Sequence, residues 1–383
     1  MSVKFAIAGA AIFDGVSRHE KHSLLVEGGK IVGLCPDGEV PQGFDVQSVD
    51  GGLLAPGFID LQVNGGGGVL LNEQPDVDGI ATICRAHIGF GTTGLLPTLI
   101  TDTPEVTDRA IAAGIEATRS GVPGFLGLHL EGPHLAPSRK GAHDPTLIRT
   151  MQGDDLQRLI DARAQLPTLM VTVAPESVSN AQIAALTEAG IVVSLGHSDA
   201  TYEQVKAAAQ AGATCVTHLY NAMSPLSHCQ PGMVGAGLDL GQLHCGLIAD
   251  GHHMDPAVIS LSLSAKRGPA NIFLVSDAMS TIGSDMTEFV LNGRNILRRD
   301  GRLTLEDGTL AGADLELSSA VRFVVDAVGI QTGEALRMAS LYPAECIGAD
   351  TSVGRFAAGQ RANIVHLDDT LKSQFVWIDG RPV

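Results

Sequence analysis

The chain is poor in positive charge. It carries 25 lysines and arginines against 42 aspartates and glutamates in 383 residues, which gives a formal net charge of −17. Nucleic acids and anionic membranes both bind positively charged protein surfaces, so the shortage of positive charge argues against either as a partner. The acidic excess on its own is explained by solubility. An anionic small molecule would need a local basic pocket.

Two other absences bear on compartment and architecture. None of the six cysteines stands in a C-x-x-C pair, and their scatter indicates reduced thiols in a cytoplasmic protein. No apolar run approaches the roughly 18 residues that a transmembrane helix needs. Residues 1–13 contain only a short apolar stretch, which the turn Asp14-Gly15 follows. This pattern favours a first β-strand over a signal peptide.

The middle of the chain alternates apolar runs with Ala-rich helical patterns. Tyr202 to Ala211, for example, reads as a helix that stops before Gly212. Eight such alternations predict an α/β fold of the (β/α)8 TIM-barrel type, with catalytic residues at the C-terminal strand ends. A doubly wound open sheet is the alternative, but no G-x-G-x-x-G follows the first strand. The strand candidates are Phe58–Val63, Gly94–Thr98, Leu126–Leu130, Met170–Ala174, Val192–Gly196, Cys215–His218, Cys245–Ala249 and Ile272–Ser276.

Both ends of the chain have β patterns of their own. Residues 3–49 alternate apolar and polar positions around glycine-rich turns, and β character returns after Gly348. Each segment is too short to make a good sheet alone. We therefore predict that residues 1–53 and 349–383 form one small β-sandwich domain, and that residues 54–348 form the barrel domain.

Four of the apolar runs end on residues that can carry chemistry. Their last positions deliver Glu131, His197, His218 and Asp277. Since the C-terminal ends of barrel strands converge at one mouth, we expect these side chains to meet. One carboxylate and two imidazoles suit a divalent metal ion with an open position, and the remaining aspartate suits a general base.

The first strand reads Pro56-Gly57-Phe58-Ile59-Asp60 and leads into Gln62-x-Asn64. This motif resembles the amidohydrolase superfamily. Many members have His-x-His where this chain has Gln-x-Asn, and Gln-x-Asn resembles the N-acetylglucosamine-6-phosphate deacetylase branch. The resemblance runs from about Asp50 to Gly348 and includes both flanking β segments. Further similar motifs are Leu96-Pro97-Thr98, Gly127-Leu128-His129-Leu130-Glu131-Gly132-Pro133, Lys140-Gly141-Ala142-His143, Ala174-Pro175-Glu176, Gly196-His197-Ser198, His218-Leu219-Tyr220-Asn221-Ala222-Met223, Ile248-Ala249-Asp250-Gly251 and Gly308-Thr309-Leu310-Ala311-Gly312.

The resemblance implies a metal-dependent amide hydrolase. Glu131, His197 and His218 would hold one divalent ion per chain, with zinc the default for His2Glu ligands and iron or another divalent ion also compatible. Asp277 falls where the family has its catalytic aspartate, which takes a proton from the attacking water and delivers it to the leaving amine. His143 matches the histidine that helps to polarise the amide carbonyl.

Gln62 and Asn64 would be the remnant of a second metal site, because amides cannot replace imidazoles as strong ligands. The resemblance also implies a set of positions that hold the sugar and its phosphate. These are Ala142, His143, Asn221, Ala222, Cys229, His253, Leu310, Ala311 and Gly312.

Cys229 departs from the family pattern, which has an arginine at that point. Arginine binds phosphate through two parallel charged hydrogen bonds, and a neutral thiol cannot. The departure does not affect the residues of the deacetylase chemistry. It leaves open whether the substrate carries a 6-phosphate. The neighbouring His228 is a candidate for a weaker, pH-dependent contact.

The sequence therefore predicts a cytoplasmic, single-metal enzyme that hydrolyses N-acetylglucosamine 6-phosphate to glucosamine 6-phosphate and acetate. The alternative enzyme is a deacetylase of a non-phosphorylated or otherwise altered N-acyl amino sugar. A non-catalytic relative that keeps the barrel for assembly is a third reading, against which the retained Glu131, His197, His218 and Asp277 argue. We expect a homodimer or a higher homo-oligomer.

Overall fold

The computed structural model describes residues 3–383, so Met1 and Ser2 of the predicted first strand lie outside the described residues. The chain begins with short β-strands that Gly-containing turns connect. Glu27 pairs with Lys30 across the predicted Gly28-Gly29 turn. The strands are β1 (Lys4–Ala8), β2 (Ala11–Phe13), β3 (Arg18–His19), β4 (His22–Glu27), β5 (Lys30–Pro36), β6 (Asp45–Ser48) and β7 (Leu53–Pro56).

The barrel follows. Its strands are almost wholly buried, since helices cover them outside and side chains fill the interior. The strands of this part of the chain are β8 (Phe58–Val63), β9 (Gly65–Gly66), β10 (Val69–Leu70), β11 (Thr92–Ile100), β12 (Leu128–Glu131), β13 (Leu169–Val173), β14 (Val192–Leu195), β15 (Cys215–Val216), β16 (His244–Ile248) and β17 (Ile272–Val275). Eight of them form one parallel sheet in the order β8-β11-β12-β13-β14-β15-β16-β17, and β9 pairs with β10 in a separate hairpin.

The ends of that sheet meet, which closes the barrel. Val63 forms a parallel bridge with Ala278, and the Asp277 amide donates to the Gln62 carbonyl at 3.0 Å. The eight predicted strands are confirmed, with ends that differ by a few residues. The predicted (β/α)8 barrel is confirmed, and the doubly wound alternative is wrong.

The helices begin at polar caps and present apolar faces to the sheet. Thr103 caps α2 ahead of Pro104, and Ser179 and Thr201 form capping boxes with glutamines three residues on. None of the helices in residues 3–383 has both the length and the apolar character that crossing a membrane requires. They are α1 (Val77–Ile88), α2 (Pro104–Ser120), α3 (Gly153–Arg163), α4 (Asn180–Glu188), α5 (Tyr202–Gln210), α6 (Gly232–Asp239), α7 (Pro256–Ala265), α8 (Leu317–Asp326), α9 (Thr332–Ala339) and α10 (Leu341–Cys346).

An antiparallel sheet between β17 and α8 was not predicted. Its strands are β18 (Glu288–Leu291), β19 (Arg294–Arg299), β20 (Arg302–Thr304) and β21 (Leu310–Ala313). The turns Asn292-Gly293 and Asp300-Gly301 have positive φ at both residues, as tight hairpins require. Buried residues of this sheet pack on Leu70, Ile100 and Met279, so the insertion lies against the C-terminal mouth of the barrel.

The chain closes with β22 (Ile364–Leu367), β23 (Ser373–Ile378) and β24 (Arg381–Pro382). β22 pairs with β7 and extends a six-stranded sheet in the order β24-β23-β22-β7-β2-β3. The second sheet has the order β5-β4-β1-β6. Buried apolar residues from both sheets form one cluster, as the predicted β-sandwich requires. The exact domain limits, 53/54 and 348/349, stay a prediction.

Candidate active site

Three of the predicted ligands meet at the C-terminal mouth of the barrel. The Nε2 atoms of His197 and His218 lie 3.1 Å apart, and Glu131 Oε1 lies 3.2 Å from the first and 3.1 Å from the second. Ligand atoms around a tetrahedral ion with bonds of about 2.0–2.2 Å are about 3.3–3.5 Å apart. The near-equilateral triangle of two nitrogens and one oxygen therefore fits a small divalent ion with little adjustment.

The protonation of the two imidazoles follows from their other nitrogens. His197 Nδ1 donates to the Arg139 carbonyl at 2.7 Å, so the proton sits there and the Nε2 lone pair faces the triangle. His218 Nδ1 is buried and has no hydrogen-bond partner among the described residues. Burial alone would raise the pKa of Glu131, but the close His197 and His218 imidazoles hold that pKa well below its usual range. A carboxylate ligand is thus available at neutral pH.

His143 lies beside the triangle. Its ring centre is 4.4 Å from that of His197, and Glu131, His143 and His197 together offer ligand atoms within 4.8 Å of one another. His218 makes the closer third ligand, because its Nε2 is only 3.1 Å from each of the other two atoms. Burial lowers the pKa of His143 to about 3, so its ring is neutral. Its Nδ1 contacts the Thr101 hydroxyl at 2.8 Å, which helps to hold the ring at 68° to that of His197.

The Gln62 amide bridges two carboxylates. Its Nε2 donates to both oxygens of Glu131 at 3.3 Å and to Asp277 Oδ1 at 3.2 Å. Asn64 Nδ2 donates to the same Asp277 oxygen at 2.7 Å. Amide N–H groups thus occupy the space between the two carboxylates. Burial and the charge of Glu131 raise the pKa of Asp277 to about 6.

The backbone at the strand ends is unusual. His197, His218 and Asp277 all have positive φ, at +48°, +29° and +51°, and so do Tyr220 and Ala222 at +76° and +50°. Non-glycine residues rarely adopt this conformation, and each such residue costs of order 1–3 kcal/mol. The sharp bend turns a side chain inward as each strand ends. Local strain of this kind concentrates at functional sites.

A cavity of about 170 Å³ opens over these groups. Most of the predicted substrate positions line it. Ala311 is fully buried beside it, in the cluster under the β18–β21 insertion. Cys229 lies elsewhere: within residues 3–383 it is exposed, and it is not part of the lining. The lining residues are Asn64, Ile100, Glu131, Gly141, Ala142, His143, His197, His218, Asn221, Ala222, Ile248, His253, Asp277, Met279, Leu310 and Gly312.

Several supporting residues were not predicted. Asp250 accepts from His253 Nδ1 at 2.7 Å and from the backbone amides of His252 and His253 at 2.8 Å. This leaves His253 Nε2 as the ring nitrogen available to a ligand. Thr101 and the Arg139 carbonyl support His143 and His197 in the same way. Only Asp250 had a signal in the sequence, since it stands three residues before His253 in a strand-end motif.

The closed parallel barrel, with its Glu-His-His triangle at the strand ends, defines a barrel enzyme built to hold a divalent ion. Residues 53–383 match the Amidohydrolase family, and the chain belongs to that family.

Several relatives are similar over most of their length. The N-acetylgalactosamine-6-phosphate deacetylase of Shewanella sp. (strain ANA-3) is 42% identical over 86% of this chain and 82% of its own. The N-acetylglucosamine-6-phosphate deacetylase of Homo sapiens is 38% identical over 87% and 84%. The crystal structure of N-acetylglucosamine-6-phosphate deacetylase from Pasteurella multocida superposes with a TM-score of 0.95, at 35% identity and 99% coverage of both chains.

Proposed function

We propose that the protein hydrolyses the N-acetyl group of N-acetylglucosamine 6-phosphate to give glucosamine 6-phosphate and acetate. The observation that carries the proposal is the cavity in which the Glu131, His197 and His218 triangle faces Asp277. The activity of the similar proteins, amino-sugar 6-phosphate deacetylation, supports it.

Glu131, His197 and His218 would hold one divalent ion per chain, and their ligand types favour zinc. The chemistry that such an ion supplies is polarisation of the amide carbonyl and acidification of the attacking water. The amides of Gln62 and Asn64 argue against a second ion, because they donate N–H groups toward the carboxylates.

Asp277 would move the proton. Its Oδ1 is held by Gln62 and Asn64, while its Oδ2 accepts no hydrogen bond among the described residues and is left for the reacting groups. Oδ2 would take a proton from the attacking water and deliver it to the departing amine nitrogen. The neutral His143 would donate or orient a hydrogen bond at the amide carbonyl from its Nε2.

The sugar and its phosphate would lie against the cavity residues Asn221, Ala222 and His253. His253, fixed by Asp250, is the retained polar contact for the phosphate. Because Cys229 is exposed and carries no charge, the phosphate would lack the arginine contact of the family. One charged hydrogen bond contributes about 1.5–3 kcal/mol, so we expect a raised KM for the 6-phosphate.

The relatives also point to a second candidate substrate. The Shewanella protein, at 42% identity, and an Escherichia coli O157:H7 protein, at 37%, are both N-acetylgalactosamine-6-phosphate deacetylases. The C4 epimer of the sugar is therefore a specific rival.

The test is steady-state hydrolysis of the gluco and galacto sugars, each with and without the 6-phosphate. The proposal expects the highest kcat/KM for N-acetylglucosamine 6-phosphate. A higher kcat/KM for the galacto 6-phosphate would identify N-acetylgalactosamine 6-phosphate as the substrate instead. Higher kcat/KM values for both unphosphorylated sugars would overturn the phosphate assignment. We further propose that the enzyme is a cytoplasmic homo-oligomer; sedimentation or light scattering would test the assembly.

A further inference from the structure

A chain of polar side chains crosses the barrel interior beneath the Glu-His-His triangle. His129 Nδ1 lies 2.9 Å from the Leu61 carbonyl, and its Nε2 lies 2.7 Å from the Thr172 hydroxyl. The Thr172 hydroxyl lies 2.7 Å from that of Thr217, which in turn lies 2.6 Å from that of Ser194. All four side chains are buried, with at most 4% of the surface of any exposed. We call His129, Thr172, Thr217 and Ser194 the polar belt.

The belt has a single proton order. A carbonyl oxygen only accepts, so His129 Nδ1 must carry a proton. With the Nδ1 proton directed at the Leu61 carbonyl, Nε2 is the ring nitrogen that accepts from the Thr172 hydroxyl, at 2.7 Å. Thr172 then accepts from Thr217, and Thr217 accepts from Ser194. Hydrogen bonds ordered in this way polarise one another, and a break leaves buried groups without partners.

Two belt residues, and the Leu61 carbonyl that accepts from His129, stand close in the chain to residues of the candidate site. Leu61 precedes Gln62, His129 precedes Glu131 by two residues, and Thr217 precedes His218. Gly196, which precedes His197, packs so closely on Thr172 and Thr217 that a Cβ there would come within 2.9 Å of each. The belt thus has a member on, or directly after, every strand that delivers a ligand of the triangle: His129 in β12, Ser194 in β14 and Thr217 after β15. Barrel interiors are usually filled by branched apolar side chains, so four hydrogen-bonded polar side chains at this place need a physical explanation.

We propose that the polar belt is a positioning array, which sets the spacing of the strand ends that carry Glu131, His197 and His218 and so sets metal affinity. The inference rests on the metal centre of the proposed function. The belt residues touch neither substrate nor metal; they act through the strands.

The test replaces Thr172 by valine, which keeps the shape and removes the hydroxyl. His129 Nε2 then loses its donor and Thr217 its acceptor. The metal-free protein is titrated with Co²⁺, whose visible absorption reports both affinity and ligand geometry. Loss of a group that orients metal ligands costs about 10–100-fold in affinity, and we expect a loss in that range together with a changed spectrum. Thr172→Ser keeps the hydroxyl and should restore both.

Thr92→Val is the matched control. Thr92 is buried in β11, and its hydroxyl has no hydrogen-bond partner among the described residues. Its replacement should leave Co²⁺ affinity and spectrum unchanged. Ser194→Ala removes only the last donor of the belt, so it should lower Co²⁺ affinity less than Thr172→Val does. This second variant tests the proposal even if Thr172→Val does not fold.

The outcomes separate the two proposals. A wild type that binds no Co²⁺ overturns the metal centre, and the present inference with it. A wild type that binds Co²⁺, with folded Thr172 and Ser194 variants that bind it equally well and with the same spectrum, overturns the positioning role alone, even if those variants melt at lower temperature.

Discussion

Replacing Asp277 by asparagine should lower turnover and, at the same time, stabilise the metal-free protein. The ionised form of this carboxylate is destabilised, because the group is largely removed from water and lies close to the negative charge of Glu131. Asparagine has the same shape, and its oxygen can still accept from Gln62 and Asn64. The substitution removes the charge and the proton-accepting group together.

The magnitude follows from the pKa, which rises from 3.8 to about 6. Each unit corresponds to about 1.4 kcal/mol, so full desolvation would cost the folded state about 3 kcal/mol. Because the side chain keeps a face toward the cavity, we expect a gain of about 1–2 kcal/mol in the variant. The folded pKa lies above the unfolded one, so the penalty is present above pH 6 and disappears as the pH falls toward 4. The gain should therefore be seen at pH 7–8 and vanish near pH 4.

Urea unfolding of the metal-free proteins at pH 7.5 and pH 4 measures the stability, and steady-state assays with metal analysis measure the function. A general base contributes about 10²–10⁴-fold, so turnover should fall at least that far while metal content is kept. Asp285→Asn, an exposed carboxylate in the same region of the chain, is the control and should change neither quantity. Near-normal turnover of the Asp277 variant would remove Asp277 from the mechanism, and a loss of stability at pH 7.5 would refute the electrostatic argument.

Three further predictions follow from the site. Metal analysis after exhaustive dialysis should give about one equivalent per chain, with activity lost on chelation, since Gln62 and Asn64 leave a second site unmade; two tightly held ions would contradict this. The kcat/KM should fall on the acid side with a midpoint at or below about pH 6, because Asp277 must be ionised and a nearby cation lowers its pKa further; an activity that rises as the pH drops below 6 would exclude this base. Cys229→Arg should lower KM for the 6-phosphate by roughly 10-fold or more with little change in kcat, whereas an unchanged KM for that substrate would show that this position does not serve the phosphate.

Much of the site could be predicted because its residues end recognisable strands. Glu131, His197, His218 and Asp277 each follow an apolar run, and parallel strands in a barrel bring such ends together. The bridging of two carboxylates by Gln62 could not be predicted, since it depends on side chains far apart in sequence. The fixing of His197 by the Arg139 carbonyl likewise leaves no mark in the residue types, because every residue has a carbonyl group.

The β18–β21 insertion was missed for a different reason. Its hairpin signals, Asn292-Gly293 and Asp300-Gly301, stand in the sequence. They fall within residues 54–348, where the predicted barrel consists of alternating strands and helices and includes no antiparallel sheet. Cys229 shows a limit of motif comparison. The motif identifies Cys229 with the position of the family's arginine, but it does not show that this residue lies outside the cavity lining.

The pairing of β7 with both β2 and β22 has a consequence for the order in which the protein folds. The barrel strands pair with neighbours in sequence, so they can assemble while the chain is still being made. β7 (Leu53–Pro56) can pair with β2 as soon as both are made. The edge of β7 that faces away from β2 has no partner until β22 (Ile364–Leu367) has emerged from the ribosome. Until then an apolar strand edge stands open, which is a hazard for association with other chains. That edge therefore stays unpaired until β22 is made, and termination of the chain before Ile364 would leave a nearly complete barrel with one edge of β7 open to association with other chains.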